Sequence, residues 1–234
     1  TTPTPTAIAT GGEIGSTWGI AYSKPYKKVF TSAFVKRHAG LGAGGDSKLP
    51  VPANAPGSIY IVDPTGKTGT FFFSLDGLGA AYYTHDHTAG ATLNVRSNPD
   101  RGLPAGLATA NTDATAYDQI GKVGIGGLDI SDDGRYLFLV NLYDRKLYKI
   151  DLQDGANPVA PTAAQVTSYA ITNPNAGGAL ATGGEFRPFA VKYYRGKVYV
   201  GGVTSGQTSV PASAANNSAM NAYVFSFTTL LMEK

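Results

Sequence analysis

Cysteine is absent from the 234 residues. That removes disulfide staples, thiolate nucleophiles, zinc–thiolate sites and iron–sulfur clusters, without deciding the compartment. Charge is scarce as well: 15% of residues are Asp, Glu, Lys or Arg, and the net charge is +3. Nucleic-acid binding calls for a continuous phosphate-facing basic surface. The densest basic cluster, Lys24, Lys27, Lys28, Lys36 and Arg37, is interrupted by apolar and aromatic residues, so no nucleic acid is expected as a partner. No apolar run approaches the roughly 20 residues that cross a bilayer as a helix, and no membrane span is expected. No charged-then-apolar leader opens the chain, and Thr1-Thr2-Pro3-Thr4-Pro5-Thr6 reads as a linker or a processed mature end. Histidine is confined to His38, His85 and His87, and tryptophan to Trp18. There is no Gly-x-Ser-x-Gly elbow and no His beside a Ser in a recognisable motif, which argues against nucleophilic catalysis.

What is abundant is glycine (30 residues), proline (14) and tyrosine (14), within a 42% hydrophobic composition. That is ample for a core and argues against disorder. Internal repeats organise these residues. Gly19-Ile20-Ala21-Tyr22-Ser23-Lys24-Pro25-Tyr26-Lys27-Lys28-Val29-Phe30 aligns without a gap on the stretch from Gly127 to Phe138, and again on that from Pro188 to Tyr199. In each copy the second, fourth, eleventh and twelfth positions are apolar or aromatic. Each reads as a strand of period two, a tight polar turn and a second strand. Ser131-Asp132-Asp133-Gly134 is the clearest turn, because Ser and Asp side chains bond nearby backbone and Gly takes a positive φ. A third strand follows at Ile59–Asp63, Leu147–Asp151 and Ala222–Ser226, and a fourth near Thr70–Ser74 and Val166–Ile171. Ala9-Thr10-Gly11-Gly12-Glu13 recurs as Ala181-Thr182-Gly183-Gly184-Glu185, each time before a first strand.

Four-stranded antiparallel units in tandem point to an all-β chain built as a β-propeller. The alternative, a β-sandwich, does not require one pattern three times in order. The expected division is an N-terminal linker or outer-strand segment (1–17), blade 1 (18–76), an inserted loop (77–122), blade 2 (123–172), a connection (173–187) and an incomplete blade 3 (188–234). Closed propellers usually need about 4–8 blades, and this chain supplies about three. The remainder of a longer polypeptide, or neighbouring chains, is expected to complete the ring, with the first favoured.

The stretch Ser131-Asp132-Asp133-Gly134-Arg135-Tyr136-Leu137-Phe138-Leu139-Val140-Asn141 resembles the strand-turn-strand unit of seven-bladed YVTN/NHL-like propellers. Trp18–Tyr22, Ala33–Gly40, Ile120–Gly126 and Asn141–Tyr148 are similar to the propeller region of large exported bacterial surface proteins that carry SdrD-B-like or other immunoglobulin-like repeats. The resemblance covers nearly the whole chain. It implies an extracellular or cell-surface location, a structural or adhesive role and a protein that continues beyond Lys234.

In such a topology the long connections, 36–56 and 204–219 between second and third strands, and 77–122 and 173–187 between blades, emerge on one face. Long loops on a rigid scaffold are where binding is expected. Candidate binding residues on that face are Lys36, Arg37, His38, His85, Asp86, His87, Arg96 and Arg101. Thr84-His85-Asp86-His87 has the ligand types for a metal, but in an extended segment the two imidazoles point to opposite sides, and solvated or structurally bonded histidines are the plainer expectation. A Ca²⁺ site would draw on Asp86, Asp113 or Asp118 as oxygen ligands. No EF-hand spacing supports it, and no cofactor is expected. Gly40-Leu41-Gly42-Ala43-Gly44-Gly45 lacks the following helix and Lys-Ser/Thr of a phosphate loop. Asp129 is expected to bond neighbouring backbone, and Trp18, Tyr22, Tyr136, Tyr148 and Tyr223 to pack between blades. The functional expectation is a non-catalytic module for protein–protein contact, adhesion or extracellular assembly, with other surface proteins or glycans as partners. The alternative is a glycan-binding or metal-dependent hydrolase that uses the 77–122 loop.

Overall fold

A computed structural model describes residues 3–42, 55–88, 90–94, 97–104, 110–153, 155–174, 184–206 and 220–228. The chain is all-β, with three antiparallel sheets and very little helix. The first sheet runs in the order β1 (Thr17–Ser23), β2 (Lys28–Ala33), β3 (Ser58–Asp63), β4 (Thr68–Ser74). The second repeats it as β5 (Ile125–Ile130), β6 (Tyr136–Asn141), β7 (Lys146–Asp151), β8 (Val166–Ala170). The third has β9 (Phe186–Tyr194), β10 (Lys197–Thr204) and β11 (Ala222–Thr228). Each sheet is a meander in which successive strands pair.

The turns follow their residues. Gly134 takes φ 77°, Gly134 N–H donates to the Ser131 carbonyl at 2.9 Å, and Tyr136 N–H donates to Ser131 Oγ at 2.9 Å. In the third sheet Tyr194 pairs with Lys197 around Arg195 (φ 47°) and Gly196 (φ 73°). Two left-handed residues in a two-residue loop make a type I′ hairpin, whose twist matches that of the strands.

The sheets meet through their first strands: β1 lies against β5, and β5 against β9. Glycine permits this. A Cβ on Gly19 would lie 2.6 Å from Leu128 Cβ, and one on Gly127 would lie 2.4 Å from the Val191 backbone nitrogen. Gly19 and Gly127 hold the same repeat position. Asp129 then ties the second sheet to the third: its Oδ2 accepts the Tyr193 N–H at 2.7 Å and lies 2.8 Å from Lys192 Nζ.

β6 shows how the core is divided. Leu137 and Leu139 face Ala21, Phe30, Ile59 and Phe73 of the first sheet, while Phe138 and Val140 face Val198 and Val200 of the third. Alternation with apolar residues on both faces makes this the buried middle layer. Each such side chain contributes about 1.5–3 kcal/mol relative to exposure. β11, by contrast, alternates exposed and half-buried residues.

Two expectations need correction. Residues 11–14 form no outer strand but a helical turn, α1 (Gly11–Ile14), which packs on β4. The Glu13 carboxylate accepts from Thr10 N–H and Oγ–H at 2.7 and 2.9 Å, so a capping interaction overrides the extended reading. The echo at 181–185 falls largely outside the described residues. Tyr22 does not pack between sheets: it is 53% exposed, in a row on β1 with Ile20 (69%) and Trp18 (60%). Tyr148 is fully buried, and Tyr136 and Tyr223 pack against the second-to-third-sheet core. Trp18 leans on Phe34 and Phe189, with ring centroids 5.7 and 5.4 Å apart.

Candidate functional site

Among the described residues, the connections after β2 and after β4 form two clusters of side chains. In the first, the segment after β2 is laced to residues 98–101 and 111–113. Arg101 is buried, and its guanidinium grips Asp113 with Nε to Oδ1 at 3.1 Å and Nη2 to Oδ2 at 2.5 Å. The same group donates to the Ala39 and Lys36 carbonyls at 3.0 and 2.8 Å. Asp113 Oδ2 also accepts the His38 N–H at 2.7 Å. Burial alone pushes the Asp113 carboxyl up, but Arg101 and the His38 N–H outweigh it and hold the carboxyl below its usual range. Arg37 donates to the Thr112 carbonyl and lies 5.4 Å over the Tyr117 ring, and His38 Nδ1 is 2.9 Å from Asn111 Oδ1. Arg101, Asp113 and His38 are therefore occupied with one another, as a staple between two loops.

The second cluster follows β4. Asp76 opens a 3₁₀ turn (Asp76–Leu78), a second 3₁₀ turn spans Ala80–Tyr82, and the chain bends at Thr84 and His85. Because of that bend His85 and His87 do not point apart. Their rings stack at 4.2 Å, and Tyr83 stacks on His87 at 3.5 Å. Both imidazoles turn to Asp76: His87 Nε2 and His85 Nδ1 each lie 3.2 Å from Oδ1. The His87 contact is a hydrogen bond, whereas the His85 ring is poorly aligned and both its nitrogens are buried without a hydrogen-bond partner. Thr84 fixes the carboxylate, with N–H to Oδ1 at 2.7 Å and Oγ–H to Oδ2 at 2.6 Å. Asp76 and His85 are sealed from solvent, and the His87 side chain is 15% exposed. Burial pushes the Asp76 carboxyl up; the two imidazoles and Thr84 overcome it and hold the group well below the ordinary carboxylate range.

This cluster sits where the first two sheets join. Gly57, before β3, packs directly on the Asp76 carboxylate, and a Cβ there would fall 2.1 Å from Oδ2. From the other side, Gly124 N–H donates to the Thr84 carbonyl at 2.7 Å and Asn141 Nδ2 to the Tyr83 carbonyl at 3.0 Å.

The candidates named from sequence thus separate. Lys36, Arg37, His38, Arg101 and Asp113 belong to the first cluster, and His85 and His87 to the second. Asp86 is absent from both: its Oδ1 accepts the Thr88 N–H at 2.8 Å. Asp118 follows the short helix α2 (Ala114–Tyr117), and Arg96 lies outside the described residues. Asp86, Asp113 and Asp118 form no common oxygen site among the described residues, where the group with metal-ligand chemistry is Asp76, His85 and His87. Asp76 was invisible to motif reasoning, because only the bend at Thr84–His85 folds it back onto the histidines.

No family model matches this chain. Among curated proteins it is similar to Colossin-D of Dictyostelium discoideum. The two are 27% identical over 209 residues, which cover 87% of this chain and 18% of that protein. The chain thus spans less than a fifth of the length of this relative.

Proposed function

We propose that the chain is a segment of a β-propeller, and that it serves as a non-catalytic scaffold for protein–protein contact in an exported or cell-surface protein. Further sheets of the same polypeptide, or of neighbouring chains, complete the ring. Support comes from the repeated meanders packed through their first strands, and from loops held by an internal staple rather than around a reacting centre. One observation carries the reading. On β1, Gly19, Ala21 and Ser23 are buried while Trp18, Ile20 and Tyr22 are more than half exposed. A first strand with one face buried and a row of large apolar side chains exposed on the other is built to be covered again. The hydrolase alternative would rest on Asp76, His85 and His87, two of which are sealed from solvent, a poor arrangement for turnover.

Because the chain has no Cys, Ile20→Cys supplies a single reporter. Maleimide labelling of position 20, read by peptide mapping, is expected to be fast in this chain alone. It should be strongly slowed in the full natural polypeptide or its assembly. Equal labelling in both would refute the covered face.

A further inference from the structure

We propose that Asp76, His85 and His87 bind one divalent transition-metal ion, Zn²⁺ by their chemistry, which closes residues 76–87 on themselves at the junction of the first two sheets. One ligand atom from each of the three lies within 4.8 Å of the others. Asp76 Oδ1 is 3.2 Å from a ring nitrogen of each histidine. In a tetrahedron the ligand–ligand edge is about 1.6 times the bond length, so Zn–N and Zn–O bonds of about 2.0–2.1 Å require edges near ~3.3 Å. The Asp76 contacts already have that length.

An independent observation points the same way. His85 is fully buried, and neither ring nitrogen has a hydrogen-bond partner. Its Nδ1 meets only the poorly aligned Asp76 contact at 3.2 Å; a dry ring nitrogen without an aligned partner is costly, and coordination at Nδ1 satisfies it. The surroundings are those of a prepared ligand set. Thr84 holds both Asp76 oxygens, and Tyr83 and His85 stack on either side of the His87 ring. Groups outside the ligands that fix their orientation are characteristic of metal sites. Two imidazoles and one carboxylate suit Zn²⁺, whereas Ca²⁺ takes about 6–8 oxygen ligands. The burial of Asp76 and His85 assigns the ion a structural role. Its entry is on the side of His87.

Co²⁺ titration of the chelator-stripped chain tests this. The expected result is saturation at one ion per chain, with the intense visible bands of tetrahedral cobalt, displaced by Zn²⁺ and not by Ca²⁺. His87→Ala, with its far-ultraviolet circular dichroism unchanged, should weaken binding by more than the roughly 10–100-fold typical of losing an outer-shell partner. Asp86→Ala should leave binding unchanged. Metal analysis of the chain purified from zinc-supplemented medium should find about one Zn²⁺ per chain, and this measurement needs no stripped protein. Absence of saturable cobalt bands together with zinc-free purified chain would overturn the proposal. So would unaltered affinity in His87→Ala, or displacement by Ca²⁺.

Discussion

Replacing Gly127 by Ala strikes the contact on which the side-by-side sheets depend. The added Cβ would lie 2.4 Å from the Val191 nitrogen and 3.0 Å from the Ala190 Cα and carbonyl carbon. These are backbone atoms of a paired strand, so no rotamer change relieves them. The third sheet must retreat by about 1 Å to restore ordinary contact. The same retreat pulls Tyr193 N–H, now 2.7 Å from Asp129 Oδ2, to the limit of hydrogen bonding. Overpacking of this kind costs about 1–3 kcal/mol, and a hydrogen bond to a charged group contributes about 1.5–3 kcal/mol. Gly127→Ala should therefore destabilise by about 3 kcal/mol or more, a fall in Tm of roughly 6–12 °C for a chain of this size. Differential scanning calorimetry or urea denaturation measures it. Gly66→Ala is the control, because its Cβ would meet nothing closer than 3.5 Å. Equal stability of the two variants would refute the packing of β5 on β9.

Arg101→Met leaves the Asp113 carboxylate buried without its counter-charge, and should cost about 3–5 kcal/mol. Adding Asp113→Leu should recover much of that loss in chemical denaturation, and no recovery would count against the staple. The Asp113 carboxyl is held below its ordinary value, so its stabilising contribution is complete above about pH 4 and disappears as the pH falls through the lower folded value. Asp63, held at about 2 chiefly by Lys28, acts in the same direction. Denaturation midpoints stepped down in pH should fall less steeply in Asp113→Asn, and identical slopes would contradict the assignment. Thr84→Val removes one hydrogen bond to Asp76 and should weaken Co²⁺ binding roughly 10–100-fold; an unchanged titration would place Thr84 outside the ligand support.

The strands were legible because their signals are local. A short continuous apolar run marks β6, and Ser131–Gly134 carries its own turn chemistry. The repeat also placed Gly19 and Gly127 in register, though not the reason: both positions are crossed by backbone or side chains of the next sheet. The metal-type cluster was half legible. His85 and His87 stood out as the ligand types, but the period-two rule sent their rings apart because it assumes an extended backbone. Asp76 and the partnering of Arg101 with Asp113 depend on how loops return on themselves, and residue spacing does not encode that.

The middle position of β5 has a consequence for how the molecule comes apart. All six of its residues are buried, and it lies directly against the first strands of both flanking sheets. In an array whose units hold only their neighbours, the central unit opens last and the flanking ones fray independently. Amide exchange should therefore be slowest in β5 and β6 and faster toward β4 and β11. Damage to the third sheet need not reach the Asp76–His85–His87 cluster, because the second sheet stands between them.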